Sequence, residues 1–194
     1  MTGVKTLCVY CGSSSSTRES HRAAARDLGT SIGSAGIRLV FGGGRVGLMG
    51  LVADAALQAG GDVTGVIPRF LKAREVEHKG CTELIVTENM HDRKLRMAAL
   101  ADAIVVLPGG LGTLDEAFEI LTWKQLGLHD MPVVFANIEG FWTDLLRLIE
   151  NQIAERYVRE TERSLFSVAA TTGEILPLLD SLPAATISFE EKWI

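Results

Sequence analysis

The segment Leu107-Pro108-Gly109-Gly110-Leu111-Gly112-Thr113-Leu114-Asp115-Glu116 carries the clearest chemistry in the chain. An apolar run passes into a glycine loop and then into a helical pattern. The first N–H groups of a helix have no intrahelical acceptor, and the helix dipole adds positive charge there, so such a junction binds anions. The junction is therefore an anion site suited to a phosphate, with the Thr113 hydroxyl as a further donor. No Gly-Lys-Ser/Thr follows, so no lysine is set to reach β- and γ-phosphates, and a monophosphate fits better than a triphosphate. Glu116 has two readings. With Thr113 it forms T-x-x-E, a capping box. Alternatively, a carboxylate one turn from a bound phosphate makes sense where positive charge develops, as on a ribose in an oxocarbenium-like state. There it could also orient attacking water.

Two other clusters join it. Met90-His91-Asp92-Arg93-Lys94 opens a short helical stretch. Arg93 and Lys94 read either as solvated surface charges or as ligands for phosphate and ribose oxygens, for which the arginine fork is suited. Phe41-Gly42-Gly43-Gly44-Arg45-Val46-Gly47 formally satisfies G-x-G-x-x-G after a strand. Against a dinucleotide, the motif follows the second strand, and Asp62 begins the next strand where a ribose contact would end it. Tight turns and close helix packing are the alternative for these glycines. Cys8 and Cys11 have C-x-x-C spacing within a strand pattern, where residues three apart point to opposite faces, so a structural role is expected. His21, His78, His91 and His129 show no metal-ligand spacing.

These residues need elements to position them. Strand patterns fall over 5–11, 37–41, 62–67, 82–86, 103–107, 132–136 and 164–169. Helical patterns lie between them, the first opened at Ser16 by an S-x-x-E capping signature with Glu19 and running to Ser34. A charged excursion spans 68–80. Strands apolar throughout, each followed by a helix, indicate a parallel sheet covered on both faces. The expected fold is α/β, a Rossmann-like three-layer α/β/α sandwich, with 1–194 as a single domain. Ligands of such sheets bind beyond the carboxyl ends of the strands. Three of these ends are small and flexible, at Gly12-Ser13-Ser14, Gly42-Gly43-Gly44 and Pro108-Gly109-Gly110, which predicts one shared site.

Composition narrows the class. With 47% hydrophobic and 22% charged residues among 194, the chain is neither disordered nor membrane-spanning. A net charge of −5 disfavours a nucleic-acid partner, though local donors still allow a small anion. The first residues lack the charged head and long apolar run of a secretory signal, and three cysteines make no disulfide framework, so a cytoplasmic protein is expected.

Taken together, YCGSS, FGGGRVGLMG, MHDRK, PGGLGTLDE and TWKQLGLHDMPV with the following GFW closely resemble the LONELY GUY (LOG) family, the cytokinin riboside 5′-monophosphate phosphoribohydrolases. Members have often been labelled lysine decarboxylase-like. The resemblance spans nearly the whole chain. It implies hydrolysis of the N-glycosidic bond of a nucleoside 5′-monophosphate such as isopentenyladenosine monophosphate or AMP, on a Rossmann-like fold. By motif, Arg93 and Glu116 match the catalytic pair, and Lys94 the lysine beside it. Gly109, Gly110, Leu111, Gly112, Thr113, Leu114 and Asp115 match the phosphate-binding segment. Glu75 matches a substrate contact, although other members commonly have proline where Ala73 stands, and Met90 matches a residue near the base. The resemblance implies no metal or other cofactor, no nucleic-acid or membrane partner, and a homodimer to which residues 123–129 could lend apolar surface, with a core role for Trp123 and Leu126 the equal alternative. Nothing marks a lysine with the partners a pyridoxal Schiff base needs. The alternative is a non-catalytic nucleotide or molybdenum-cofactor carrier on the same fold.

Overall fold

The computed structural model describes residues 3–72 and 76–183. Seven parallel strands form one sheet in the order β4-β3-β2-β1-β5-β6-β7. They are β1 (Thr6–Tyr10), β2 (Arg38–Phe41), β3 (Val63–Pro68), β4 (Glu83–Thr87), β5 (Ala103–Val106), β6 (Val133–Ala136) and β7 (Ser167–Ala169). The main helices are α1 (Glu19–Ser34), α2 (Gly47–Gln58), the four-residue α3 (Arg69–Lys72), α4 (Met90–Ala99), α5 (Leu111–Gln125), α6 (Thr143–Ala154) and α7 (Ile175–Ser181).

Every residue of the central strands β3, β5 and β6 is buried, as a sheet covered on both sides requires. Alternation along β1 divides the core. Leu7, Val9 and Cys11 pack with Leu28 and Ile32 of α1, Val52 of α2 and Leu179 of α7. Cys8 and Tyr10 point the other way, to Met97 of α4, Ile120 of α5 and Trp142. The two cysteines thus sit in different layers, and both are free thiols. Each fully buried aliphatic side chain contributes about 1.5–3 kcal/mol, which explains why the layers, more than local propensity, hold the helices in place.

Strand order runs outward from β1 to β4, then returns to pair β5 with β1. The reversal opens a crevice between the loops that leave these two strands, the place where α/β sheets bind ligands.

Three local expectations are corrected. Ser16 does not cap α1: the helix begins at Glu19 after Arg18, with no side-chain cap, and Glu19 pairs with Arg22 and Arg26. The last strand is shorter than 164–169, because Glu160–Leu165 winds as a 3₁₀ helix in which Glu162 caps the Arg159 N–H. The strand expected over 62–67 extends to Pro68, so the charged excursion starts one residue later, with α3 and an antiparallel bridge between Gly44 and Glu77 inside it. Of the apolar residues in 123–129, Trp123 packs on the second core layer, whereas Leu126 is 68% exposed.

Candidate active site

The helix α4 starts where Asn89 accepts the Asp92 N–H at 2.9 Å. Arg93 and Lys94 lie one turn before Met97 and Ala98, on the stripe that faces the core. Both cations are consequently buried, and the surface reading of this pair does not hold.

Their side chains diverge. Arg93 Nε donates to Val66 O at 3.1 Å within β3, Nη2 to Gly42 O at 3.3 Å beyond β2, and Nη1 to Glu116 Oε1 at 2.9 Å. Gly42 makes this approach possible, since a Cβ there would lie 1.8 Å from Arg93 Nη2. Lys94 Nζ instead sits between Asp115 Oδ2 at 3.1 Å and Glu119 Oε2 at 3.0 Å, one turn apart on α5. Burial alone would lower the Lys94 ammonium, but the contacts with Glu119 and Asp115 outweigh it and leave it raised.

Glu116 is not a cap. The N-cap of α5 is Gly110, and the first intrahelical bond runs from Leu114 N–H to Gly110 O at 3.0 Å. Glu116 lies in the second turn, 7% exposed, with its carboxylate against the Arg93 guanidinium. Burial pushes its carboxyl above the ordinary range, and the nearby guanidinium opposes that shift. A buried ion pair is stable only where its remaining donors are satisfied. Two backbone carbonyls take two of the other four Arg93 donors, and the rest are left for a ligand in the adjoining cavity.

The pair borders a cavity of about 530 Å³ at the carboxyl ends of the strands. Gly12 and Ser13 after β1, Gly42 and Gly44 after β2, and Gly110, Leu111, Gly112 and Thr113 of α5 line it, so the three glycine-bearing ends do share one site. The first turn of α5 contains no acidic residue, and its N–H groups up to Thr113 precede the first intrahelical bond. Away from α5, the lining contributed by the β2 loop, α2, β3, α3 and the segment after it is apolar: Val46, Met49, Ile67, Leu71 and Val76. Gly109, Leu114, Asp115, Lys94 and the half-buried Met90 are not among the lining residues, and Glu75 lies outside the described residues. Sequence reasoning missed the apolar wall. Ile67, near the end of β3, was within reach of the carboxyl-end rule. Met49 and Val76 carried no such signal.

Of the G-x-G-x-x-G glycines, Gly42 and Gly44 line the cavity and Gly47 serves packing. Gly47 has φ +68°, and a Cβ on it would come within 2.5 Å of the Ser13 carbonyl carbon, while Leu48 N–H donates to Gly12 O at 2.9 Å. The motif joins the β1 and β2 loops. Asp62, at the opposite edge of the sheet, pairs with Arg38 at 3.9 Å.

A doubly wound sheet with a crevice at its switch point, an uncapped helix N-terminus and a buried arginine–glutamate pair defines a nucleotide-binding α/β protein with the means for acid–base or charge-stabilising chemistry. Comparison with known proteins narrows this class. A family model described as "Possible lysine decarboxylase" matches residues 49–179. The chain is 42% identical over 176 residues to the cytokinin riboside 5′-monophosphate phosphoribohydrolase LOG1 of Arabidopsis thaliana, covering 91% of this chain and 83% of that protein. It is likewise 42% identical to LOG of Oryza sativa subsp. japonica, covering 90% and 72%. The chain belongs to the LOG family of phosphoribohydrolases. Among solved structures, the molybdenum cofactor carrier protein of Chlamydomonas reinhardtii is similar in fold, with a TM-score of 0.70 at 24% identity over 90% of this chain and 94% of that one. Among the described residues, no helix is long and apolar enough to cross a membrane.

Proposed function

We propose that this protein is an N-glycosyl hydrolase that releases the free base and ribose 5-phosphate from a nucleoside 5′-monophosphate, of the cytokinin riboside or adenosine type. The observation that carries the reading is the buried Arg93–Glu116 pair, 2.9 Å apart, beside the open N-terminus of α5. Backbone N–H groups of 110–113 and the Thr113 hydroxyl hold the phosphate, and Arg93 secures phosphate and ribose.

The Glu116 carboxylate binds ribose hydroxyls. It stabilises the sugar as the C1′–N bond lengthens and cationic character builds at C1′. Water then adds to C1′, and the proton it gives up is taken by the departing base, directly or through Glu116. A desolvated carboxylate suits that task, because it gains most when an opposite charge appears next to it. Lys94, Asp115 and Glu119 hold α4 against α5, and so keep Arg93 and Glu116 in register. Their role is positioning.

The reading extends to a single domain over 1–194 and to a cytoplasmic homodimer. Three free cysteines suit a reducing compartment, and Leu111 and Phe118 of α5 with Leu126 just after it offer exposed apolar surface for a second copy.

The test is base release from AMP and from isopentenyladenosine 5′-monophosphate by wild type, Glu116→Ala and Arg93→Ala. Release by wild type that is lost in both variants is expected. Binding of either nucleotide without any release would refute the hydrolase reading in favour of a carrier.

A further inference from the structure

The chain beyond β3 comes back beside the glycine loop that follows β2. Arg45 N–H donates to Val76 O at 2.9 Å, and His78 N–H donates to Gly43 O at 2.8 Å. These two bonds form the bridge between Gly44 and Glu77. An isolated bridge is a weak tether, and His78 supplies a second. Its ring is 7% exposed and meets Phe41, the last residue of β2, edge to face at 6.1 Å. Nδ1 accepts the Gly80 N–H at 3.2 Å, which places the ring proton on Nε2. From there it is donated to Asp54 Oδ1 on α2, at 2.9 Å. One side chain therefore joins three elements: the returning segment, β2 and α2.

The joined pieces share a wall of the cavity. Val76 belongs to the tethered segment and Met49 to α2, and both line the cavity with the arginine–glutamate pair. Strands β5 and β2 flank β1, so the loops beyond them lie about two strand spacings, roughly 10 Å, apart. A nucleotide held by its phosphate at the start of α5, with its ribose at Arg93 and Glu116, directs its base toward this apolar wall.

We infer that His78, oriented by Asp54, is a positioning residue that fixes Val76 in the base-side wall and so tunes which base is accepted, without taking part in bond cleavage. This rests on the nucleotide-hydrolase reading above. It concerns a tether away from the reacting atoms.

The test is steady-state base release with two nucleotides that share ribose 5-phosphate and differ in the base: isopentenyladenosine 5′-monophosphate and AMP. His78→Ala and Asp54→Leu cut the tether, while Asp54→Asn keeps an oxygen acceptor for Nε2–H. In the two cut variants KM for the isopentenyl nucleotide should rise about tenfold with kcat held within about twofold, the pattern of lost binding remote from the reacting bond. The kcat/KM ratio of the isopentenyl nucleotide to AMP should fall by about fivefold or more, and Asp54→Asn should restore it. A general loss of structure lowers both nucleotides equally. That result, an unchanged ratio, or a fall confined to kcat would overturn the inference. Asp54 is largely exposed, so Asp54→Leu preserves the test if His78→Ala fails to fold. If wild type releases no base at all, the hydrolase reading fails instead. The ratio of the two nucleotides' Kd values in the same variants then decides the positioning role on the same criterion.

Discussion

Replacing Gly42 by alanine tests whether the exact seat of the Arg93 guanidinium matters. The new Cβ would fall 1.8 Å from Nη2 and 3.0 Å from Cζ. Non-bonded heavy atoms settle well beyond that, so the guanidinium must retreat by roughly 1.2 Å or more. The retreat gives up the Nη2 contact with Gly42 O and disturbs the bonds to Glu116 and to Val66 O. A misplacement of about 1 Å at a reacting centre costs about 100-fold in rate. A buried polar group left without its partner costs roughly 1–3 kcal/mol of stability. Gly42→Ala should therefore lower kcat for base release about 100-fold and Tm by about 2–12 °C, on the scale of about 2–4 °C per kcal/mol for a chain of this size. The assay is base release by chromatography with a melting curve on the same sample. Repeating the substitution in the Arg93→Ala background, where base release is lost, completes a double-mutant cycle in Tm, and there it should have little further effect. If Gly42→Ala costs as much without the arginine as with it, or keeps near-normal kcat while folded, the reasoning is wrong.

Gly112→Ala should separate stability from binding. A Cβ there meets nothing within 4 Å and sits in the first turn of α5, so the fold gains about 0.5–1 kcal/mol while KM rises as the methyl group enters the phosphate seat, which paired denaturation and kinetic runs will show. The raised Glu116 carboxyl places the acid limb of kcat/KM above the ordinary value of 4.5, with activity falling as pH drops through the raised value. For stability the sign is reversed: the contribution of Glu116 is fully present below 4.5 and is lost as pH rises through the raised folded value, a slope that Glu116→Gln should flatten in pH-dependent denaturation. Burial pushes the Cys8 and Cys11 thiols well up and Cys81 to about 11, so mass spectrometry should find all three slow to alkylate at pH 8 in the folded protein and fast in urea.

The local alternation of short apolar runs with helical stretches was enough to determine a parallel three-layer sheet, because strands buried on both faces have few other solutions. The glycine-bearing strand ends located the crevice, since ligands of such sheets gather at the carboxyl edge. What sequence left open were choices between two readings of the same residues, and these depended on what lay opposite in space. T-x-x-E fits a cap equally well until Gly110 proves to be the N-cap and Glu116 faces inward to a cation from another helix. Arg93 and Lys94 are neighbours in sequence and share a buried stripe, yet a turn of about 100° between them sends one to the cavity and the other to Asp115 and Glu119. The stripe itself was readable from Met97 and Ala98. Its burial was masked because charged residues are seldom placed inside unless a partner is known. The apolar wall and its His78 tether were hidden for a different reason. They join Asp54, Phe41 and Val76 from three elements, and only the packing of α2 and the returning segment on β2 brings those residues together.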